Sequence, residues 1–389
     1  MKLCFVNPTR LQREIYVIAH RLAERGHRVT ILQPTGAIQK YPAWRNVGVI
    51  PLPCHYVPEA RYALPDLVRE YRLLEHFVRN EHYDIIHVQD YQYVTALPPI
   101  WVRRRYGTPI TLVNNALVGV DWRYGRWPFD QVATMYTRTV GRMIHQSYQR
   151  LIVLTRYLEQ QTRQCYGTRL PPTEVIPFGV DVSCFYRVDA ARKRQELGLA
   201  AHEKVIVFIG RFVGWKRVEL VIELTRRLQQ AGLPTRAIII GGGRWGNPAT
   251  EARYHRLARS SGSAVIFTGP QPQEALREYL SLADVLVLPS LSETFGNVLL
   301  EAGACQVPCV ASAVGGVPEV IAHGETGYLF PPDDTEAFFA YVEELLRDEQ
   351  KARTMGQRAY ERVTALFDWE QIVNRYERLF QEVIDEASP

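Results

Sequence analysis

Along the 389 residues, short apolar runs rich in β-branched residues alternate with longer segments whose apolar positions recur every three or four residues. The runs LCFVN (3–7), RVTIL (28–32), VGVIPL (47–52), DIIHVQ (84–89), PITLVN (109–114), RLIVLT (150–155) and TEVIPF (173–178) predict strands. Helical spacing predicts helices over 13–25, 64–81, 92–105, 130–148 and 156–165. Apolar strands separated by helices indicate a parallel sheet covered on both faces. The rhythm breaks at IPFGVDVSCFY (176–186), where Pro177 and Gly179 interrupt it. It then resumes, with strands over 204–210, 236–242, 264–269, 284–289 and 308–312. Helices fill the intervals near 217–231, 250–260, 273–282, 297–304 and 316–323, and a helical run from about 334 to 385 follows. The expectation is an α/β chain of two doubly wound domains with a hinge near 177–190. Ligands of such sheets bind at the carboxyl ends of the strands.

Composition narrows the class. An apolar fraction of 47% and a charged fraction of 22% are those of a globular domain. No uncharged apolar stretch approaches the roughly 18 residues that span a bilayer. Lys2, Arg10, Arg13 and Glu14 argue against a signal peptide at the start. Cysteines 4, 54, 165, 184, 305 and 309 form no C-x-x-C pair and no zinc spacing, so reduced thiols in a cytoplasmic setting are expected. The ten histidines show no ligand spacing, so no metal site is expected. Charge is uneven: residues 1–180 hold 23 Lys+Arg against 13 Asp+Glu, whereas 181–389 hold 23 against 28. The basic half either favours an anionic partner, such as a phosphate-bearing acceptor or an anionic membrane face, or is an ordinary solvated surface. Nucleic acid is not expected, because no aromatic-and-basic reader motif is present.

Two constellations carry chemistry. Glu293 falls in the loop between the strand ADVLVLPS and a helix, and Glu301 lies about two turns along that helix. Free amides at the helix start suit phosphate, and carboxylates suit sugar hydroxyls. The second is Gly210-Arg211-Phe212-Val213-Gly214-Trp215-Lys216, a tight loop after a buried strand. Arg211 and Lys216 there fit a diphosphate, one by bidentate contact and one as a point charge. No G-x-G-x-x-G follows any strand, which argues against a nicotinamide cofactor.

With these residues stand R-G-H (25–27), I-P-F-G-V-D (176–181), G-R-x-x-x-x-K (210–216), P-S-x-S-E-x-F-G-x-V-L-x-E-A (289–302), V-G-G-V-P-E (314–319) and G-x-T-G-Y-L (324–329), in that order. Together they resemble the retaining family-4 glycosyltransferases of the GT-B fold (glycosyl transferases group 1). The resemblance covers nearly the whole chain and is strongest over 176–332. It implies two Rossmann-like parallel-sheet domains facing an interdomain cleft. Residues 1–178 would be the acceptor side and 179–366 the donor side, with 367–389 a helix crossing back to the first domain. It implies that Arg211 and Lys216 bind the donor diphosphate and Glu293 the donor sugar. Glu301 would bind the ribose, and the backbone of Phe295, Gly296, Asn297 and Val298 would hold phosphate and sugar oxygens. Gly242 would lie near the base. The family needs no separate cofactor or metal: a nucleotide-diphosphate sugar, UDP-sugar favoured, is the co-substrate, and the acceptor is a saccharide or a lipid-linked saccharide, with peripheral contact at the cytoplasmic membrane face.

The first domain departs from the family pattern. Thr9 and Arg10 occupy the positions of a family Gly-Gly loop, so Arg10 would reach an anionic group by its side chain. Asn115 stands where the family has a histidine near the reacting carbon; it keeps the backbone carbonyl but carries no proton. His87 matches a recurrent family position and reads either as a ligand contact or as a core histidine. Asp121 lies in a loop where acceptors could bind. Gln306 replaces a usual glycine at a turn, and Gly315 reads as a turn residue. Two other readings stay open: a non-catalytic nucleotide-sugar-binding subunit, motivated by Asn115 and the altered loop, and a nucleotide-sugar epimerase of the same fold.

Overall fold

The computed structural model describes residues 1–7, 14–34, 47–57, 62–117, 120, 129–167, 169–242 and 248–387. The chain divides into two compact units. One is Met1–Phe178 together with Trp369–Pro389; the other is Gly179–Asp368.

In the first unit the elements are β1 (Lys2–Val6), α1 (Glu14–Glu24), β2 (Arg28–Pro34), β3 (Val47–Leu52), β4 (Cys54–Val57), β5 (Tyr62–Pro65), α2 (Leu67–Asn80), β6 (Ile85–Gln89), α3 (Pro98–Tyr106), β7 (Ile110–Asn114), α4 (Phe129–Tyr136), α5 (Arg142–Ser147), β8 (Arg150–Val153), α6 (Arg156–Tyr166) and β9 (Thr173–Val175). Seven strands form a parallel sheet in the order β3-β2-β1-β6-β7-β8-β9. Because side chains alternate along a strand, its two faces feed two cores. Cys4, Val6, Ile86, Val88 and Leu112 pack with residues of α2, α3 and α6. Leu3, Phe5, Ile31, Ile85 and Val113 pack with α1 and with the last helix of the chain. The β4–β5 hairpin is antiparallel and stands outside this sheet. The expected single helix over 130–148 is instead α4, a π-helical turn over Thr137–Gly141, and α5. The turn sits where the chain is squeezed: a Cβ on Gly141 would lie 2.9 Å from both Tyr91 and Tyr166.

The second unit holds α7 (Ala191–Glu196), β10 (Lys204–Gly210), α8 (Val218–Gln230), β11 (Thr235–Gly241), α9 (Pro248–Ser261), β12 (Val265–Gly269), α10 (Gln273–Ser281), β13 (Val285–Leu288), α11 (Asn297–Ala304), β14 (Cys309–Ser312), α12 (Val317–Val320), β15 (Gly327–Phe330), α13 (Thr335–Arg347) and α14 (Glu349–Phe367). Its six parallel strands run in the order β12-β11-β10-β13-β14-β15. Strand order reverses between β10 and β13, and such a switch point opens a crevice at the carboxyl edge of a doubly wound sheet.

The last helix, α15 (Trp369–Ala387), belongs to the first unit. It buries Trp369, Ile372, Val373, Tyr376, Leu379, Phe380 and Val383. Arg25 pairs with Glu370 at 2.7 Å and with Glu377 at 2.6 Å, His27 meets Glu377 at 2.5 Å, and Arg150 meets Glu386 at 2.6 Å. The R-G-H run thus clasps α15, while Gly26 at φ 92 ends α1 in a left-handed turn.

Candidate donor site

The loops leaving β10 and β13 meet at the switch point of the second unit. After β10 the chain turns through Arg211–Val213 into a short 3₁₀ turn, Gly214–Lys216, and then into α8. The Leu291 amide donates to the Trp215 carbonyl at 2.7 Å and ties the β13 loop to the β10 loop. This brings Lys216 and Glu293 together as an ion pair, with side chains only 13% and 12% exposed. The fully buried Ser290 donates its hydroxyl to the same carboxylate oxygen at 2.8 Å. Glu293 is thus held on two sides. Arg211 completes the group. Its side chain reaches solvent and its guanidinium lies 5.9 Å from the Trp215 ring. Neighbouring protein lowers the guanidinium from its ordinary value, and the nearby Glu293 charge raises it. Two cations against one carboxylate leave these three side chains with a net positive charge.

Behind this group, α11 starts at Gly296, whose φ of 88 turns the chain into the helix with no side chain capping the first turn. Within that first turn the Leu299 amide bonds back to the Gly296 carbonyl at 2.9 Å, and a helix start without a side-chain cap is a place where an anion can be received. Phe295 is buried against Phe367, with ring centroids 5.9 Å apart, and anchors the loop. Asn297 is exposed and Val298 half-buried. Glu301 lies half-buried one turn before Cys305; burial first, and the Glu301 charge second, push the Cys305 thiol up to about 12. Gly242 follows β11 at φ 89, and a Cβ there would lie 3.0 Å from the Phe212 ring. The left-handed backbone and the close ring together favour glycine at this position. Gly315 has φ 55, and a Cβ on it would fall 1.7 Å from the Glu293 carbonyl oxygen. It is more than a turn residue, because its bare backbone seats the glutamate loop. Neither Ser290 nor Gly315 stood out in the sequence as a partner of Glu293. The only signal was their place inside the P-S-x-S-E and V-G-G motifs.

The first unit carries the other candidates. Asn115 follows the end of β7, half-buried, and its buried Oδ1 takes no hydrogen bond among the described residues. His87 is a core side chain, the second of its two readings, and not a ligand contact. It is fully buried, its Nδ1 lies 2.8 Å from the Thr111 hydroxyl, and the rings of Phe5, Phe380 and Tyr376 surround it with centroids 4.9, 5.1 and 5.7 Å away. Burial lowers its pKa to about 3, so it is neutral. Arg10 and Asp121 lie outside the described residues. Among the described residues no helix is long and apolar enough to cross a membrane.

Known proteins share this architecture. Residues 189–362 match the family described as glycosyl transferases group 1, and residues 11–183 match glycosyltransferase family 4. The chain is similar to N-acetyl-alpha-D-glucosaminyl L-malate synthase of Bacillus anthracis, at 27% identity over 372 residues, 94% of this chain and 92% of that one. It is similar to D-inositol 3-phosphate glycosyltransferase of Kribbella flavida, at 29% identity over 296 residues, 74% of this chain and 69% of that one. Among solved structures it resembles Anabaena HepE in complex with UDP-glucose, with a TM-score of 0.77 at 19% identity, covering 98% of this chain and all of that one.

Proposed function

The chain belongs to the GT-B glycosyltransferases of group 1 and family 4, and from that premise we propose that it moves a sugar from UDP to an acceptor hydroxyl with retention at the anomeric carbon. The observation that carries this reading is the Lys216–Glu293–Ser290 assembly beside Arg211 at the uncapped start of α11. The donor diphosphate engages Arg211, Lys216 and the first amides of α11, and Glu301 receives the ribose hydroxyls. The C1–O bond to the β-phosphate breaks, and its electron pair goes to the phosphate. On the same face the acceptor oxygen bonds to C1 while its proton passes to the leaving phosphate oxygen. The protein contributes fixed charge where charge develops, and such preorganised charge usually lowers a barrier of this kind more than any other effect. In this reading Arg211 and Lys216 carry the neutralising charge without a metal.

UDP is favoured because the HepE structure is a UDP-glucose complex. The acceptor belongs to glycan, glycolipid or small-metabolite synthesis. Trp101 and Val68 stand exposed on α3 and α2 beside Arg104 and Arg105, a surface suited to an anionic cytoplasmic membrane face.

The test is a thermal-shift panel of uridine, guanosine, adenosine and thymidine diphosphate sugars, followed by hydrolysis of the best donor. A UDP-sugar at about 100 times its Kd stabilises by about 2.7 kcal/mol, and Glu301→Ala abolishes the shift. A panel with no shift overturns the reading. A shift without hydrolysis or transfer favours a non-catalytic binding subunit.

A further inference from the structure

The V-G-G-V-P-E run (314–319) folds into α12, a single turn from Val317 to Val320. Four residues of helix do not hold themselves in place, so α12 takes its position from what grips its two ends. Its first end meets the glutamate loop. The Gly316 amide donates to the Glu293 carbonyl at 3.3 Å, and the Glu319 amide returns to the Gly316 carbonyl at 3.0 Å. The last carbonyls of a helix lack partners within it, and here a side chain from α14 takes two of them. Arg362 donates from Nη2 to the Glu319 carbonyl at 2.8 Å and from Nε to the Val320 carbonyl at 2.9 Å. A planar guanidinium that donates twice fixes direction as well as distance.

Arg362 does not act from an isolated place. Val363 and Phe367 lie one and five positions further along α14, on the same side of the helix. Val363 packs so close over Gly303 of α11 that a Cβ there would fall 2.8 Å from its Cγ2. Phe367 meets Phe295 of the glutamate loop. One helix thus touches α11, which carries Glu301, the loop that carries Glu293, and α12. The contacts of Val363 and Phe367 are apolar and non-directional. Those of Arg362 are directional, and they run through α12 to the backbone of Glu293. Lys216 and Ser290 hold the Glu293 carboxylate, whereas α12 holds its main chain.

We infer that Arg362 is a positioning residue of the donor site: by gripping the far end of α12 it sets where the Glu293 main chain sits, and so how the carboxylate meets the donor sugar. The inference rests on the glycosyltransferase reading and adds to it a residue that stands behind the donor groups. A displacement of about 1 Å in such a group is enough to cost a large part of the rate.

The experiment measures the Kd of UDP and of UDP-glucose by calorimetry on the full chain, with hydrolysis of UDP-glucose in parallel. The readout is the ratio of the two Kd values, because Glu293 faces the sugar and not the nucleotide. Arg362→Ala moves this ratio against UDP-glucose by about tenfold, the size of one lost hydrogen bond, and lowers kcat for hydrolysis. The Kd of UDP stays within about threefold, because its proposed contacts run through Arg211, Lys216, Glu301 and the start of α11. Arg362→Lys, which can still donate to the α12 carbonyls, keeps the ratio near wild type. In a Glu293→Gln background Arg362→Ala moves the ratio no further, since both changes act on one group. If Arg362→Ala does not fold, Arg362→Gln, which keeps the stem and a donor, is read by the same ratio. Equal losses for UDP and UDP-glucose, no loss, a loss that lysine does not rescue, or full additivity with Glu293→Gln each overturns the positioning role. A wild type that binds neither ligand overturns the donor reading itself, whereas failure of the Arg362 inference leaves wild-type binding intact, so the two are distinguishable.

Discussion

At the scale of the residue, the candidate donor site is held by backbone as much as by side chains. Gly315 supports the Glu293 carbonyl where no Cβ fits, and it does so at a φ that other residues adopt only with strain. Gly315→Ala is therefore expected to displace the glutamate loop and lower kcat/KM by about a hundredfold, the scale set by misplacing a site group by 1 Å. Gly324→Ala is the control. Its φ is 79, but a Cβ there meets nothing within 4 Å, so it carries similar backbone strain and should leave kcat/KM near wild type. Steady-state kinetics on both variants decides, and equal losses would refute the seating role. Sequence alone placed Glu293 and Lys216 each in a loop that follows a buried strand, because charged side chains after such strands are visible as such. It did not show Gly315 touching Glu293, since a contact across 22 positions depends on how β14 lies beside β13. Gln306 was readable as a turn change, and its φ of 59 puts it in the left-handed conformation that favours glycine. His87 stayed open between two readings, because a histidine in a central strand looks the same in sequence whether it faces a ligand or a core of aromatic rings.

At the scale of the element, long periodic segments were legible to within a few residues, and short or proline-bearing ones were not. The β4–β5 hairpin escaped because Pro53, Pro58 and Pro65 break its pattern, and β15 escaped because four residues after a G-x-T-G run carry little periodicity. Helix α2 shows a different conflict. Its amphipathic pattern is sound, with Asp66 capping its start, yet Glu70 lies fully buried with both carboxyl oxygens unpartnered among the described residues. Burial raises the Glu70 pKa well above the ordinary carboxylate value. The folded state therefore holds this proton more tightly than the unfolded chain does. The contribution is fully present below the unfolded value of about 4.3 and is lost as pH rises toward the folded value. Glu70→Leu should raise the melting temperature of the first unit, and the gap from wild type should widen between about pH 5.5 and pH 8. Calorimetry at both values tests this, and a gap that narrows with pH would contradict it.

At the scale of the whole molecule, the two parallel sheets followed from the alternation of strands and helices, whereas the reach of α15 did not. That helix carries its own amphipathic stripe, but nothing in the stripe says which core receives it. The deciding contacts are those of Arg25 and His27 with Glu377, 352 and 350 positions away. The seven apolar side chains that α15 buries contribute roughly 1.5–3 kcal/mol each, so their sum rivals the whole stability of a typical domain, about 5–15 kcal/mol. Truncation after Asp368 should abolish the first unit's melting transition and leave the second unit folded, with its UDP-induced shift intact. Retention of both transitions would show that α15 is dispensable. The same helix also sets an order of events during synthesis. Domains usually fold in the order they leave the ribosome. Here all of Gly179–Asp368 emerges before the segment that finishes the first unit. The nascent chain must carry a sheet face covered only in part, by α1, and bearing Leu3, Phe5 and Ile85, through the making of an entire second domain. The part translated first is thus the part completed last, and the interval between is when a chaperone would have most to shield.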